Sequence, residues 1–154
     1  MLTRLELKIP PALLVLIIAL IMWLIAENFS RLELSPAIRY SGFGVLLVIG
    51  VLMIVLGGFN FKAANTTVNP ITPDSTTVLV TSGIYRYSRN PMYIGFLLML
   101  VGWALFLASL PALVMTAVYI LYMNRLQIEP EERALEKIFG AEYIAYKTNV
   151  RRWL

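Results

Sequence analysis

Two side chains that carry much of enzyme chemistry are missing from this 154-residue sequence, which has no cysteine and no histidine. Without cysteine there is no disulfide, no thiolate metal site and no thiol nucleophile. Without histidine the commonest metal ligand and the commonest general base at neutral pH are gone as well. Charge is also scarce, at 14% of residues against roughly 25% in an average soluble domain. Any reaction must run on carboxylates, arginines, tyrosines, amides or a bound cofactor, with no metal among the expected partners.

What is abundant is apolar surface, with 59% of residues hydrophobic. A soluble domain of this length leaves too much of its surface exposed to hide that fraction. The composition points to a polytopic membrane protein made as one domain, 1–154. The formal net charge is +4, but the basic residues flank apolar spans and form no patch. That arrangement fits membrane orientation and not a nucleic-acid partner.

Uncharged runs place the spans. Ile9 to Ala26 is 18 residues, Tyr40 to Phe61 is 22, and Asn90 to Asn124 is 35. The last is too long for one crossing, and Ser109-Leu110-Pro111 near its middle reads as a tight turn between two short helices. The expected fold class is therefore all-α and integral to the membrane. Four transmembrane helices are predicted at about 10–28, 38–58, 91–108 and 111–125, the last two forming a hairpin. No small-x-small cleavage site follows the first run, so it reads as a retained helix and not a signal peptide. Glycines at 42, 44, 50, 57 and 58 suit close helix packing in the second span.

With both termini inside, eleven of the thirteen basic residues fall on the cytoplasmic side, and only Arg31 and Arg39 fall outside. The positive-inside rule prefers that orientation. Short loops and the lack of a targeting signal make a bacterial or archaeal plasma membrane the expected location. Two polar segments, 59–90 and 126–154, then share the cytoplasmic face. The first is a looping connection marked by Asn65, Asn69, Pro70 and Pro73, with a short β-prone patch at Thr77-Val78-Leu79-Val80. The second is an amphipathic helical cap. Glu129 and Pro130 read as its start, Gly140 ends a first helix, and a second over about 141–148 carries Tyr143, Ile144 and Tyr146.

The densest polar cluster is Tyr85-Arg86-Tyr87-Ser88-Arg89-Asn90-Pro91-Met92-Tyr93, at the point where a cytoplasmic loop enters a membrane helix. Asn90 is placed as an N-cap and Pro91 for the first turn. Tyrosine and arginine are also ordinary anchors at a membrane boundary, and composition alone does not separate the two readings. The turn at Pro111 brings Asn90–Tyr93 back toward Arg125–Glu132. Aromatics, amides and carboxylates converging over an apolar space suit an amphipathic cofactor.

Taken in order, Leu79-Val80-Thr81-Ser82-Gly83-Ile84-Tyr85, Arg89-Asn90-Pro91-Met92-Tyr93-Ile94-Gly95, Glu131-Glu132-Arg133-Ala134-Leu135, Phe139-Gly140, Tyr143, Tyr146 and Val150 form a series. It resembles the isoprenylcysteine carboxyl methyltransferase family and the related phospholipid methyltransferases, over about residues 59–154. The resemblance implies an integral membrane enzyme using S-adenosylmethionine to methylate a hydrophobic or amphipathic acceptor (isoprenyl-type, lipid or thiol) that enters from the bilayer. It implies cofactor contacts from Thr77, Val78, Leu79, Val80, Tyr85, Asn90, Pro91, Met92, Tyr93 and Glu131. Asn90 stands where many members have histidine. Gln127 stands where prenylcysteine enzymes have a substrate-contacting arginine, so the acceptor is not carried over. Arg125, Gln127 and Arg152 are the candidates for orienting it, with Arg125 and Arg152 expected nearest the reaction.

Two other classes compete. Sterol-reductase-type membrane enzymes share an Arg-x-Pro-x-Tyr turn and would bind NADPH. A non-enzymatic membrane subunit would use the tail to dock a partner and bind no cofactor.

Overall fold

Proline marks where the helices begin. Among the described residues, five of the six α-helices carry it at their first or second position, where its missing N–H has no intrahelical partner to lose. The computed structural model describes residues 6–64 and 77–154. Their order is α1 (Pro11–Glu27), α2 (Pro36–Ala63), a 3-10 turn (Gly83–Arg86), α3 (Pro91–Leu107) and α4 (Leu110–Tyr122). A π-helical segment (Met123–Ile128) then leads into α5 (Glu129–Phe139) and α6 (Ala141–Asn149). The expected loop at Asn65, Asn69, Pro70 and Pro73, and Arg4 of the charge count, lie outside the described residues.

The fold is all-α. Helix α2 has 28 residues, about 42 Å at a rise of 1.5 Å per residue. Its most apolar 18-residue stretch has a mean hydropathy of 2.6, enough to cross a membrane. Helices α1 and α3 are also apolar but have 17 residues each, short of the ~20 that a bilayer usually needs. Thr77-Val78-Leu79-Val80 was expected to favour a strand. No strand forms there or elsewhere among the described residues.

Ala108 takes a left-handed conformation, φ 50°, and Ser109 Oγ caps α4 by accepting from Ala112 N–H at 3.3 Å. Helix α4 then runs back along α3, and Tyr119 Oη donates to Tyr93 O at 3.1 Å. Leu14, Ile18 and Met22 of α1 share one buried core with Leu100 and Ala104 of α3 and Tyr119 of α4.

Helix α2 packs along the other flank of α3. Gly50 and Gly95 meet there so closely that a Cβ on either would lie 2.6 Å from the other's carbonyl oxygen. The remaining face of α2 exposes Tyr40, Val48, Leu52, Leu56 and Phe59. An apolar face of that extent is a surface for lipid and not for water.

The tail differs from expectation at one junction. Glu129 does open α5, but the chain is already helical before it, joined to α4 through the π segment. Pro130 has no N–H to offer the carbonyl of Leu126 four residues earlier. That carbonyl accepts instead from the backbone N–H of Leu7, at 3.0 Å. A π turn commonly marks a place where one extra residue has been fitted into a helix near a site. Gly140, at φ 51°, ends α5 as expected.

Candidate functional site

A cavity of about 280 Å³ opens where α3 begins. Its floor is apolar helix: Met92 and Phe96 of α3, Phe61 of α2 and Ala12 of α1. The extended stretch contributes Val78, Leu79 and Val80, the 3-10 turn Tyr85, and the tail Leu135, Tyr143 and Tyr146. Tyr85 stands edge-on to Phe61 at 5.3 Å between centroids, and its carbonyl accepts from Tyr146 Oη at 2.7 Å. These aromatics make a wall in which the Tyr146 hydroxyl is tied down.

One carboxylate is built into that wall. Glu131 Oε1 accepts from Tyr93 Oη at 2.6 Å and from Gln127 Nε2 at 2.6 Å. Both donors use the same oxygen, which leaves Oε2 for whatever enters the cavity. Burial pushes the Glu131 carboxyl up to about 7. The hydrogen bonds from Tyr93 and Gln127 pull the other way, and the neighbouring charge of Glu132 adds to the rise. The Tyr85 and Tyr146 phenols stay neutral. Burial raises Tyr85 well above its ordinary range and Tyr146 to about 12, with the Arg89 charge opposing the shift at Tyr146.

Glu132, the adjacent residue, is buried and also borders the cavity, but its oxygens are spent on a charged cluster. Arg152 Nε and Nη2 donate to its two oxygens at 3.1 and 2.7 Å, and Arg89 Nη2 reaches Oε1 at 3.0 Å. The C-terminal stretch is laced into the same place. Arg151 O accepts from the Arg89 backbone N–H at 3.0 Å, and Trp153 Nε1 donates to Asn124 Oδ1 at 3.0 Å.

Asn90 corrects one expectation. It sits at the N-cap position of α3 but its side chain makes no cap bond. Its Nδ2 donates to Arg152 O at 2.9 Å, and its own N–H is taken by Ser88 Oγ at 3.0 Å. The C-terminal stretch competes for the side chain and wins it.

Of the residues expected at a cofactor, Val78, Leu79, Val80, Tyr85, Asn90, Met92, Tyr93 and Glu131 line the cavity together. Thr77 lies outside the lining, and Pro91 is buried in the first turn of α3 behind it. Gln127 is buried against Glu131. Arg125 and Arg152 do not line the cavity. Arg125, with its side chain 66% exposed, pairs with Glu129 at 2.7 Å, and Arg152 is spent on Glu132. Sequence reasoning did not assign Arg89, Phe61, Tyr143 or Tyr146 to the site. Arg89 and the two tyrosines were visible in the polar cluster and on the tail helix, whereas nothing local singles out Phe61. Among the described residues no group of three or more acidic side chains is arranged to hold a metal ion.

Comparison with known proteins gives this geometry a context. The pattern of the phospholipid methyltransferase family matches residues 40–142. A protein of Haemophilus influenzae described as uncharacterized is 46% identical over 63 residues, 41% of this chain and the whole of that one. The protein-S-isoprenylcysteine O-methyltransferase of Saccharomyces cerevisiae is 33% identical over 148 residues, covering 83% of this chain and 61% of its own. The human enzyme of that name is 35% identical over 112 residues, 68% of this chain and 39% of its own. The chain thus spans from about two fifths to three fifths of the length of these two methyltransferases. No solved structure matches it. The matched span runs from α2 through α5 and takes in Tyr85, Tyr93 and Glu131, and the chain belongs to the phospholipid methyltransferase family.

Proposed function

We propose that this protein is an S-adenosylmethionine-dependent membrane methyltransferase acting on a hydrophobic or amphipathic acceptor. The observation that carries the reading is Glu131, held by Tyr93 and Gln127 on one oxygen and open to an aromatic, apolar cavity on the other. The donor set fits the cofactor: a carboxylate for its ammonium, neutral aromatic faces for its sulfonium, and an apolar slot for its adenine. Glu131, Tyr93, Tyr85, Asn90, Met92 and the 77–80 stretch with Pro91 behind it are the residues that would hold it.

The bound cofactor supplies an electrophilic methyl group on a positively charged sulfur. The protein's part is then to position and to exclude water. Tyr93 and Gln127 fix the rotamer of Glu131, so its free oxygen is aimed before any ligand arrives. Phe61, Phe96 and Leu135 keep the space dry. Holding two reactants in an attack geometry can supply roughly 7–11 kcal/mol of the barrier, which suits a transfer that needs no general base when the acceptor is already ionised.

The membrane setting follows the same reading. Helices α1 to α4 serve as four spans, with α3 and α4 as a hairpin, both termini cytoplasmic, and α5 and α6 as an amphipathic cap in a prokaryotic plasma membrane. Ala12, Met92 and Phe96 bring the cavity to the apolar helices, which supports entry of the acceptor from the bilayer. Of the residues considered for orienting it, Gln127 acts through Glu131, Arg152 holds Glu132, and Arg125 stands at the outer edge.

Calorimetric titration of detergent-purified protein with S-adenosylhomocysteine tests the proposal. Saturable binding that weakens in Glu131→Gln is expected. A folded wild-type sample that binds no S-adenosylhomocysteine but does bind NADPH would overturn it in favour of a reductase.

A further inference from the structure

Arg89 keeps donors that the folded chain does not use. Its guanidinium carries five N–H groups, and among the described residues only Nη2 has a partner, Glu132 Oε1 at 3.0 Å. Nε and Nη1 are buried with no hydrogen-bond partner, on a side chain only 10% exposed. A buried donor left unmade is costly, and more so on a charged group.

Its ion-pair partner has no oxygen left unpaired. Glu132 Oε2 is taken by Arg152 Nη2 at 2.7 Å. One carboxylate therefore answers two guanidinium groups, and this cluster keeps a positive charge uncompensated beside the cavity that Arg89 helps to line. The opposite demand stands in the same cavity, where Glu131 has an oxygen to spare. A cavity with an unused carboxylate oxygen and unused guanidinium N–H groups matches a ligand bearing both an ammonium and a carboxylate.

We infer that Arg89 is a ligand-binding residue of this cavity that takes a carboxylate on its unpartnered N–H groups. The inference rests on the proposed function for the source of that carboxylate. It is either the amino-acid end of the cofactor or a carboxylate on the acceptor. In both cases the ligand completes a charge cluster that the chain alone leaves one anion short.

Arg89→Lys keeps a cation for Glu132 and removes the spare guanidinium donors. We would titrate it and the wild type with S-adenosylhomocysteine and with methylthioadenosine, which has the same adenosine and thioether but no amino-acid end. A loss of at least about tenfold for S-adenosylhomocysteine, with methylthioadenosine unchanged, is expected if the cofactor is the source; retained methylthioadenosine binding also shows that the variant folds. The second arm uses N-acetyl-S-farnesylcysteine and its methyl ester in the presence of S-adenosylhomocysteine. A selective loss of the free acid there assigns the carboxylate to the acceptor. Equal losses for both members of each pair, or no loss in either, overturn the inference and leave Arg89 as a support for Glu132. Wild-type protein that binds neither nucleoside removes the cofactor reading itself, and the Arg89 inference falls with it.

Discussion

Tyr93 Oη donates to Glu131 Oε1 at 2.6 Å, tying the first turn of α3 to the first turn of α5. The turn at Ala108 and Ser109 makes the contact possible by sending α4 back along α3. The π segment then carries Gln127 to the same oxygen. A site residue is thereby oriented by two helices before any ligand binds.

Removing one of those donors has a direct cost. A hydrogen bond to a charged group is worth about 1.5–3 kcal/mol, so Tyr93→Phe should weaken S-adenosylhomocysteine binding by roughly 10- to 100-fold. Gln127→Leu removes the other donor and should weaken it in the same direction. Titration calorimetry on both variants checks this. Unchanged affinity in both would show that orientation of Glu131 does not matter.

Affinity should also depend on pH. With Glu131 pushed up to about 7 by burial, a ligand ammonium finds a carboxylate on only part of the molecules at pH 6. Binding of S-adenosylhomocysteine should strengthen as pH rises from 6 to 8, with protons released on binding, and the dependence should disappear in Glu131→Gln. The stability contribution has the opposite trend. A raised folded-state value favours the folded state at low pH, and this is lost as pH rises from about 4.5 through about 7. Thermal unfolding of the wild type against Glu131→Gln across that range would read it.

Glu132 should matter for folding more than for affinity. Glu132→Ala leaves Arg89 and Arg152 facing each other, and removing one partner of a buried ion pair costs about 3–5 kcal/mol. Arg152→Ala, at the more exposed end of the cluster, should cost less. Unfolding midpoints in one detergent compare the two, and a milder effect from Glu132→Ala would contradict the arrangement.

The α2–α3 contact offers a paired test. Gly95→Ala would drive a Cβ into Gly50 O, with Ile54 also in the way at 2.9 Å, and should force α2 off α3 with a large loss of stability. Gly58→Ala meets nothing within 4 Å and should stabilise α2 by up to about 1 kcal/mol through helix propensity alone. Equal effects from the two would mean that the helices do not pack at Gly95.

Several parts of the fold were legible because their causes are local. Pro91 and Pro111 start helices wherever the chain goes next, Gly140 ends one, and an uncharged run such as Tyr40–Phe61 selects helix in an apolar setting. The cavity-lining set around Tyr85, Tyr93 and Glu131 was legible through its resemblance to a family. Asn90 was read as a cap from its place before Pro91. The C-terminal stretch claims its side chain instead, and no local rule contains that competition.

By itself, then, the sequence determined an all-α, strongly apolar chain without cysteine or histidine, and the order in which its polar clusters occur. Tertiary structure decided which member of each cluster is spent on a partner and which keeps groups to spare. Glu131 and Glu132 are adjacent and both border the cavity, yet one is held by Tyr93 and Gln127 on a single oxygen while the other gives both oxygens to Arg89 and Arg152. Arg89 and Arg125 are both arginines at helix ends, yet one is buried with donors to spare and the other is exposed and paired. Direction around a helix is periodic and follows from spacing. Which direction holds the ligand depends on how α3, α5 and the C-terminal stretch pack, and that is a property of the assembled helices.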